Sequence, residues 1–245
     1  MPNYNLIYDE DQIKKFYDIL IKPFIEKPNL TFIIIPIARR KYWEELTSSQ
    51  INLSTKLVQT HNLTYDRFLN ILKRYEVAEG LYTDPKSNKP IPGSAIAFYM
   101  TANPMDELKA MFQLMTEFNN DVHDRLYGSN EKHPSWKTES RFKSCLHQHP
   151  VKEDAVIKLD VDTKEEDKIQ SLNRLLEEWN IPVVMKLATK NGYHYVLKRE
   201  DQNQELHKFV RDKNNSDWVS IEKNPLILIP GTIQGGNPVG FAKDE

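Results

Sequence analysis

The sequence predicts an α+β protein, and three observations lead to this class. In the second half, four apolar runs of strand length alternate with two amphipathic runs of helix length. The second and third of the four apolar runs are joined by "TKNG", a turn of the hairpin type. In the first half, helical patterns alternate with two apolar strands. The second half therefore reads β-α-β-β-α-β, the order of a ferredoxin-like or RRM-like unit with sheet order 4-1-3-2.

The elements of the second half follow from their hydrophobic patterns. The helix "KEEDKIQSLNRLLEEWN" places Ile169, Leu172, Leu175 and Leu176 on one face. Alternating or continuous apolar runs predict strands at "DAVIKLDVD", "PVVMKLA", "YHYVLK" and "DWVSIE". The polar-apolar pattern of "DQNQELHKFVRDK" predicts the second helix, and "LILIPGT" predicts one additional strand.

The first half is predicted as an α/β unit that packs against this second half. Helices are expected at "DEDQIKKFYDILIKPFIEK", at "TYDRFLNILKRYEV" behind the N-cap Thr64, and at "TANPMDELKAMFQLMTEFNNDVHDRL". Strands are expected at "LTFIIIP" and "AIAFYM", and residues 127–152 are expected to form an irregular connector. We therefore predict one domain, with an N-terminal α/β unit over 1–150 and a metal-binding palm over 151–245.

Composition excludes several classes of protein. The chain has 245 residues, 39% of them hydrophobic, with a net charge of −2, which is typical of a globular protein. The single cysteine, Cys145, excludes a disulfide framework and a cysteine-only zinc site. The charged N-terminal segment does not resemble a signal peptide, and "FIIIPIA" is too short to span a bilayer. We expect a cytoplasmic protein without a membrane partner, or one in the host cytoplasm if the gene is viral.

An unusual acid pair, Asp160 and Asp162, ends the first strand of the second half. Side chains alternate along a strand, so both carboxylates share a face, which is unfavourable unless a cation lies nearby or one carboxyl stays protonated. The predicted topology brings His194 and Asp217, at the starts of the third and fourth strands, to the same edge. Glu222 is the alternative third acid. Its opposite strand parity and greater distance favour Asp217, but the sequence leaves this choice open.

Three converging carboxylates suit Mg²⁺ or Mn²⁺. Two such ions would activate a 3′-hydroxyl and stabilise a pyrophosphate leaving group, while Lys186 and Lys190 would hold a triphosphate. This chemistry is nucleotidyl transfer.

These segments resemble the archaeo-eukaryotic primase superfamily, whose primase–polymerases occur in archaea, eukaryotes, plasmids and phages. The D-x-D strand is "VIKLDVD", the small-x-His hairpin is "TKNGYHYVL", and the later acid with its Pro-Gly-Thr strand is "SDWVSIE" followed by "LILIPGT". The segments "AFYMTANPMD" and "FIIIPIARRKYW" are similar to earlier parts of the family pattern. Two family arginines are missing, one replaced by Met105 and one by the apolar "LILI" run.

The resemblance implies a DNA primase or primase–polymerase, with single-stranded DNA as template, nucleoside triphosphates as substrates and a separate helicase or replication protein as a further partner. It implies that Asp160, Asp162 and Asp217 bind the ions and that His194 contacts the nucleotide phosphates. Arg39 and Arg40, with Lys41, are expected to reach phosphates from the first half. The missing arginines keep an alternative open, namely a non-catalytic nucleic-acid-binding or regulatory protein on a degenerate primase scaffold.

Overall fold

A computed structural model describes residues 2–127, 137–199, 204–212 and 215–242. Within these ranges the helices are α1 (Glu10–Phe16), α2 (Tyr65–Lys73), α3 (Glu107–Tyr127), α4 (Thr138–Gln148), α5 (Glu166–Glu178) and α6 (Gln204–Arg211). A π-helical turn (Tyr17–Ile21) and a 3₁₀ turn (Lys22–Phe24) continue α1, and another 3₁₀ turn spans Gly93–Ala95. None of the helices in these ranges is both long and apolar enough to cross a membrane.

The strands of the same ranges form one antiparallel sheet, so the predicted α+β class is confirmed. They are β1 (Leu30–Arg39), β2 (Gln50–Asn52), β3 (Lys56–Gln59), β4 (Ile96–Thr101), β5 (Met105–Asp106), β6 (Val156–Val161), β7 (Val183–Ala188), β8 (Tyr193–Lys198), β9 (Val219–Glu222), β10 (Leu226–Leu228), β11 (Thr232–Gln234) and β12 (Asn237–Phe241). The main path runs β2-β1-β4-β11-β12-β7-β8-β6-β9, while β3 and β5 pair with β1 and β10 pairs with β4.

Strand β1 is the centre of the first half because both of its faces are buried. Phe32 and Ile34 lie in the cluster that contains the α1 side chains Ile13 and Phe16. Ile33 and its alternate neighbours lie in a second cluster, on the opposite face, with residues of α3 and α4. Burial on both sides explains why this strand reads as a continuous apolar run instead of an alternating one.

Helix α4 lies where the sequence predicted part of an irregular connector, so that prediction is wrong for residues 138–148. Only two of its side chains, Cys145 and Leu146, are buried, which leaves little periodicity to detect. The helix is instead held against α3, since Arg141 forms ion pairs with Glu117 and Asp121. The connector residues 128–136 lie outside the described ranges.

In the second half, β6 lies between β8 and β9, and β7 pairs with the outer side of β8. One face of this part of the sheet packs on α5, where Ile169 and Leu172 meet Leu159 and Tyr195. The burial of apolar area, which contributes ~25 cal/mol per Å², holds α5 and α6 to the strands. The opposite face turns toward the first half and carries the polar residues described below.

Main-chain pairing carries the sheet from the first half into the second. Strands β10 and β11 pair with β4, and β12 pairs with β11 on one side and with β7 on the other. In addition, the buried side chain of Asn103 forms two hydrogen bonds with the backbone at the start of β6. Its Nδ2 donates to the Val156 carbonyl at 2.9 Å, and its Oδ1 accepts from the Val156 N–H at 2.7 Å. Asn103 therefore fixes where β6 begins relative to the first half.

Replacing Asn103 by Ala is expected to lower the free energy of unfolding by about 2–4 kcal/mol, because it leaves a buried N–H and a buried C=O without these partners. Urea unfolding followed by circular dichroism measures the change. The control is Asn120→Ala on the exposed surface of α3, for which we expect a change within about 0.5 kcal/mol. Equal effects of the two substitutions would show that the Asn103 contacts do not fix β6.

Candidate functional site

A cleft of about 450 Å³ lies between the two halves. Its walls carry both signs of charge and two aromatic rings. The first half contributes Arg39, Lys41, Tyr42 and Tyr99, and the second half contributes Lys158, Asp160, Asp162, Lys190, His194 and Glu222.

The strand register explains how the second-half residues come together. On β6, Asp160 lies opposite His194 of β8 on one side and Ser220 of β9 on the other. Two residues earlier, Lys158 lies opposite Glu222 of β9. Since directly opposed residues share a face, Lys158, Asp160, His194 and Glu222 all point to the same side of the sheet.

The Lys158 ammonium lies between two carboxylates. Its Nζ is 3.1 Å from Oε1 of Glu222 and 3.7 Å from Oδ2 of Asp160, and it also donates to the Leu226 carbonyl at 3.3 Å. Only 5% of the Lys158 side chain is exposed, whereas 45% of the Glu222 side chain is. The cation that the acid pair requires is therefore partly supplied by the protein itself.

His194 completes the surroundings of Asp160. Its Nε2 is 3.2 Å from Oδ1 of Asp160, and a carboxylate can only accept, so the proton of this hydrogen bond lies on Nε2. The other ring nitrogen, Nδ1, is buried and has no hydrogen-bond partner among the described residues.

The net effect of these contacts is to keep Asp160 ionised. Burial raises the pKa of this carboxyl, but the hydrogen bond from His194 and the charges of His194, Lys158 and Lys41 outweigh burial and lower the pKa to about 2. Asp160 is thus a carboxylate throughout the neutral pH range.

Asp162 differs from Asp160 in being open to solvent. Its N–H donates to the Trp218 carbonyl at 2.8 Å, which continues the pairing of β6 with the segment before β9. Its exposed carboxylate lines the cleft and makes no hydrogen bond or ion pair with any described residue. Asp162 is therefore available to a ligand.

The turn that precedes His194 depends on a glycine. A Cβ on Gly192 would lie 1.9 Å from the Val161 carbonyl oxygen and 3.0 Å from the Thr163 nitrogen. Only glycine allows the β7–β8 turn to lie this close to the end of β6. This close packing holds Lys190 and His194, from the two sides of Gly192, beside the acid pair.

The first half brings positive charge and aromatic surface to the opposite wall. Arg39 donates from Nη1 to the Tyr99 hydroxyl at 3.0 Å. Burial and the neighbouring charge of Arg39 lower the pKa of Lys41, while Asp160 and Asp162 act in the opposite direction. Tyr42 packs where Gly235 has no side chain, since a Cβ there would lie 2.4 Å from the tyrosine ring. Lys41 thus lies in the field of the acid pair across the cleft.

The structure does not bring Asp217 into this cleft. Asp217 is exposed in the turn of residues 215–218, and the β9 ladder begins only at Val219. Glu222, in contrast, lies on the face of Asp160 and His194. The sequence favoured Asp217 over Glu222, and the structure reverses this preference because Asp217 precedes the β9 ladder. Glu222 is the third carboxylate of the cleft.

Two of the predicted phosphate-binding residues also lie elsewhere. Lys186 is on the face of the sheet that packs on α5, where its Nζ lies 4.6 Å from the ring centre of Tyr193 and 5.0 Å from that of Tyr195. Arg40 donates from Nε to the Leu46 carbonyl at 2.8 Å, which ties down the loop after β1. Of the predicted cations, Arg39, Lys41 and Lys190 line the cleft, and Arg40 and Lys186 do not.

Sequence reasoning missed Lys158, Tyr42 and Tyr99. The signal for Lys158 was present, since it stands two residues before Asp160 in an apolar run and strand alternation puts it on the same face. Tyr42 and Tyr99 reach the cleft only through the packing of the two halves, for which the sequence carries no short-range signal.

Within residues 2–127, 137–199, 204–212 and 215–242, no three His, Cys, Asp or Glu side chains are arranged as a ready-made metal site. Comparison with known proteins gives no match, since no family model matches the chain and no curated protein or solved structure is significantly similar to it.

The pKa of Asp160 predicts a pH-dependent contribution to stability. Because folding lowers this pKa from 3.8 to about 2, the contribution is present above pH ~4 and is lost as the pH falls through about 2. The free energy of unfolding of the wild type minus that of Asp160→Asn should therefore fall by about 2 kcal/mol between pH 6 and pH 2. Urea unfolding at several pH values measures this difference. Ser220→Ala, which changes the uncharged neighbour on β9, should keep the wild-type pH dependence; a pH-independent difference for Asp160→Asn would contradict the assignment.

Proposed function

We propose that this protein is a metal-dependent nucleotidyltransferase, a primase or primase–polymerase that extends or starts a strand on a single-stranded DNA template. The observation that carries the proposal is the cleft itself. It brings the ionised Asp160 and the open Asp162 into one lining with Arg39 and Lys41, and Lys41 interacts electrostatically with both carboxylates. Carboxylates facing cations across a gap suit a ligand that is itself a polyanion with a divalent counter-ion, such as a nucleoside triphosphate.

The arrangement of the second half supports the same proposal. The order β6-α5-β7-β8-α6-β9, with strand order β7-β8-β6-β9, is that expected of a ferredoxin-like palm. The D-x-D and small-x-His segments, whose resemblance to the primase superfamily suggested the function, contribute neighbouring residues of the cleft. Asp160 and His194 are in direct contact.

The residues present fit a divalent ion. Asp160 and Asp162 offer hard carboxylate oxygens from one strand end, and Asp162 has no competing partner among the described residues. When bound, Mg²⁺ or Mn²⁺ would neutralise phosphate charge and favour ionisation of the attacking hydroxyl. His194 would orient Asp160 and keep it ionised, while Lys190 and Lys41 would attract the phosphates of the nucleotide.

The reaction that this cleft would support is an in-line displacement. The 3′-oxygen of the growing strand bonds to the α-phosphorus, the bond from that phosphorus to the bridging oxygen breaks, and pyrophosphate leaves. The hydroxyl proton passes to solvent. In this scheme the third acid on the cleft face is Glu222, and Asp217 takes no part.

The decisive experiment removes the acid pair. Asp160→Asn combined with Asp162→Asn should reduce Mg²⁺- or Mn²⁺-dependent nucleotide incorporation on single-stranded DNA by at least a thousandfold, because the ion loses both ligands. Incorporation of labelled nucleotides, with and without a primer, measures this. The matched control removes two carboxylates from the exposed end of α5, Glu177→Gln with Glu178→Gln, and should keep full activity. Full activity in the acid-pair variant would exclude the proposal, and loss of activity in Asp217→Asn would restore Asp217 as a ligand.

Nucleotide binding is tested separately from catalysis. Lys190→Ala should raise the dissociation constant for a nucleoside triphosphate with Mn²⁺ about tenfold, because a cation beside the phosphates is lost. The rise in melting temperature on adding nucleotide and Mn²⁺ reports this affinity. Lys198→Ala, at the far end of β8, should leave the affinity unchanged. Equal affinity of wild type and Lys190→Ala would remove Lys190 from the nucleotide site.

A second function, non-catalytic binding of nucleic acid, is favoured by Met105 and the "LILI" run in place of family arginines. Tight binding of single-stranded DNA without any nucleotide incorporation, under either ion, would select this alternative. The template, the nucleotide and a separate helicase or replication protein are partners under the first proposal, and only nucleic acid is required by the second.

A further inference from the structure

The buried side chain of Lys158 lies beside the carboxylates of Asp160 and Glu222, and a lysine at such a position is unusual. Lys158 is the one charged residue in the run of β6 before Asp160, and its side chain is 5% exposed. Lysine is almost never buried to this extent without a specific partner. Here it has three, Asp160, Glu222 and the Leu226 carbonyl.

Stability alone does not account for this lysine. Its neighbours on the same face of the sheet include the buried Val156 and Val196, so an apolar side chain would pack there. A buried ion pair contributes little net stability compared with apolar residues of similar volume. Both carboxylates paired with Lys158 also line the cleft. The charge of Lys158 therefore serves the cleft and not the packing of the core.

The oxygens of Asp160 are already divided between two partners. Oδ2 faces Lys158 at 3.7 Å and Oδ1 faces His194 at 3.2 Å, while Oε1 of Glu222 faces Lys158 at 3.1 Å. A divalent ion between Asp160 and Glu222 would have to share its place with the ammonium, and two cations cannot occupy one such space. On the side of Asp160 that faces Asp162, the exposed carboxylate of Asp162 forms no ion pair with any described side chain.

We propose that Lys158 is a fixed cation that takes the place of a second divalent ion, so that the cleft binds a single Mg²⁺ or Mn²⁺, at Asp160 and Asp162. This inference rests on the proposed function in requiring that the acid pair binds a divalent ion at all. The ammonium fills the space between Asp160 and Glu222 permanently and contributes its charge whatever the metal concentration. Lys158 is thus a positioning residue for the carboxylates and sets the number of ions.

The test counts ions and does not depend on activity. Titration of the full chain with Mn²⁺, followed by calorimetry and by the electron paramagnetic resonance signal of free Mn²⁺, should give one bound ion for the wild type. Lys158→Met has nearly the same length without the charge, and it should bind two ions. Lys158→Arg keeps the charge and should bind one. Lys158→Met combined with Glu222→Gln loses a ligand of the freed position and should return to one.

The outcomes separate the two proposals. Two ions in the wild type, or one ion in folded Lys158→Met, would overturn the inference and leave the nucleotidyltransferase proposal standing. A wild type that binds no Mn²⁺, or binds it equally well with Asp160→Asn and Asp162→Asn, would overturn both. Circular dichroism checks that each variant folds. If Lys158→Met does not fold, the wild-type count decides alone, one ion supporting the inference and two overturning it.

Discussion

The contact of the Lys158 ammonium with Asp160 and Glu222 is the interaction on which the site depends. Carboxylates placed on one face of a sheet repel each other, and without a cation they would take up protons or move apart. Lys158 from below and His194 from the side together keep Asp160 ionised and oriented. The exposed Asp162 then remains the carboxylate open to a ligand. The site is held in shape by its own charges.

Much of this site could be predicted from the alternation of side chains along each strand. Asp160, Asp162 and His194 were found because strand parity is a property of a few adjacent residues, and the hairpin turn fixes His194 relative to Gly192. The same rule would have found Lys158. Between the two candidate third acids, the sequence favoured Asp217 over Glu222 because the apolar pattern suggests that the fourth strand begins at residue 217. The strand begins two residues later, at Val219, and Asp217 is left in the turn.

The contributions of the first half were only partly predictable. Arg39 and Arg40 are adjacent in sequence, yet only Arg39 lines the cleft while Arg40 fastens a loop. Which of the two faces the cleft depends on how β1 ends and on how the halves pack, and neither is encoded locally. The same holds for helix α4, which is stabilised by ion pairs to α3 and not by a strong hydrophobic period of its own. The grip of Asn103 on Val156 is another contact between distant segments that no sequence pattern indicates.

The continuity of the sheet through β12 has a consequence for how a ligand is admitted. Because β12 is hydrogen-bonded to both β11 and β7, a rotation of one half against the other would break main-chain pairing. This main-chain pairing therefore resists a change in the separation of Arg39 and Asp160. The cleft is therefore preorganised, and a ligand that fits it causes little loss of ordering entropy on association. A molecule wider than the cleft is excluded sterically.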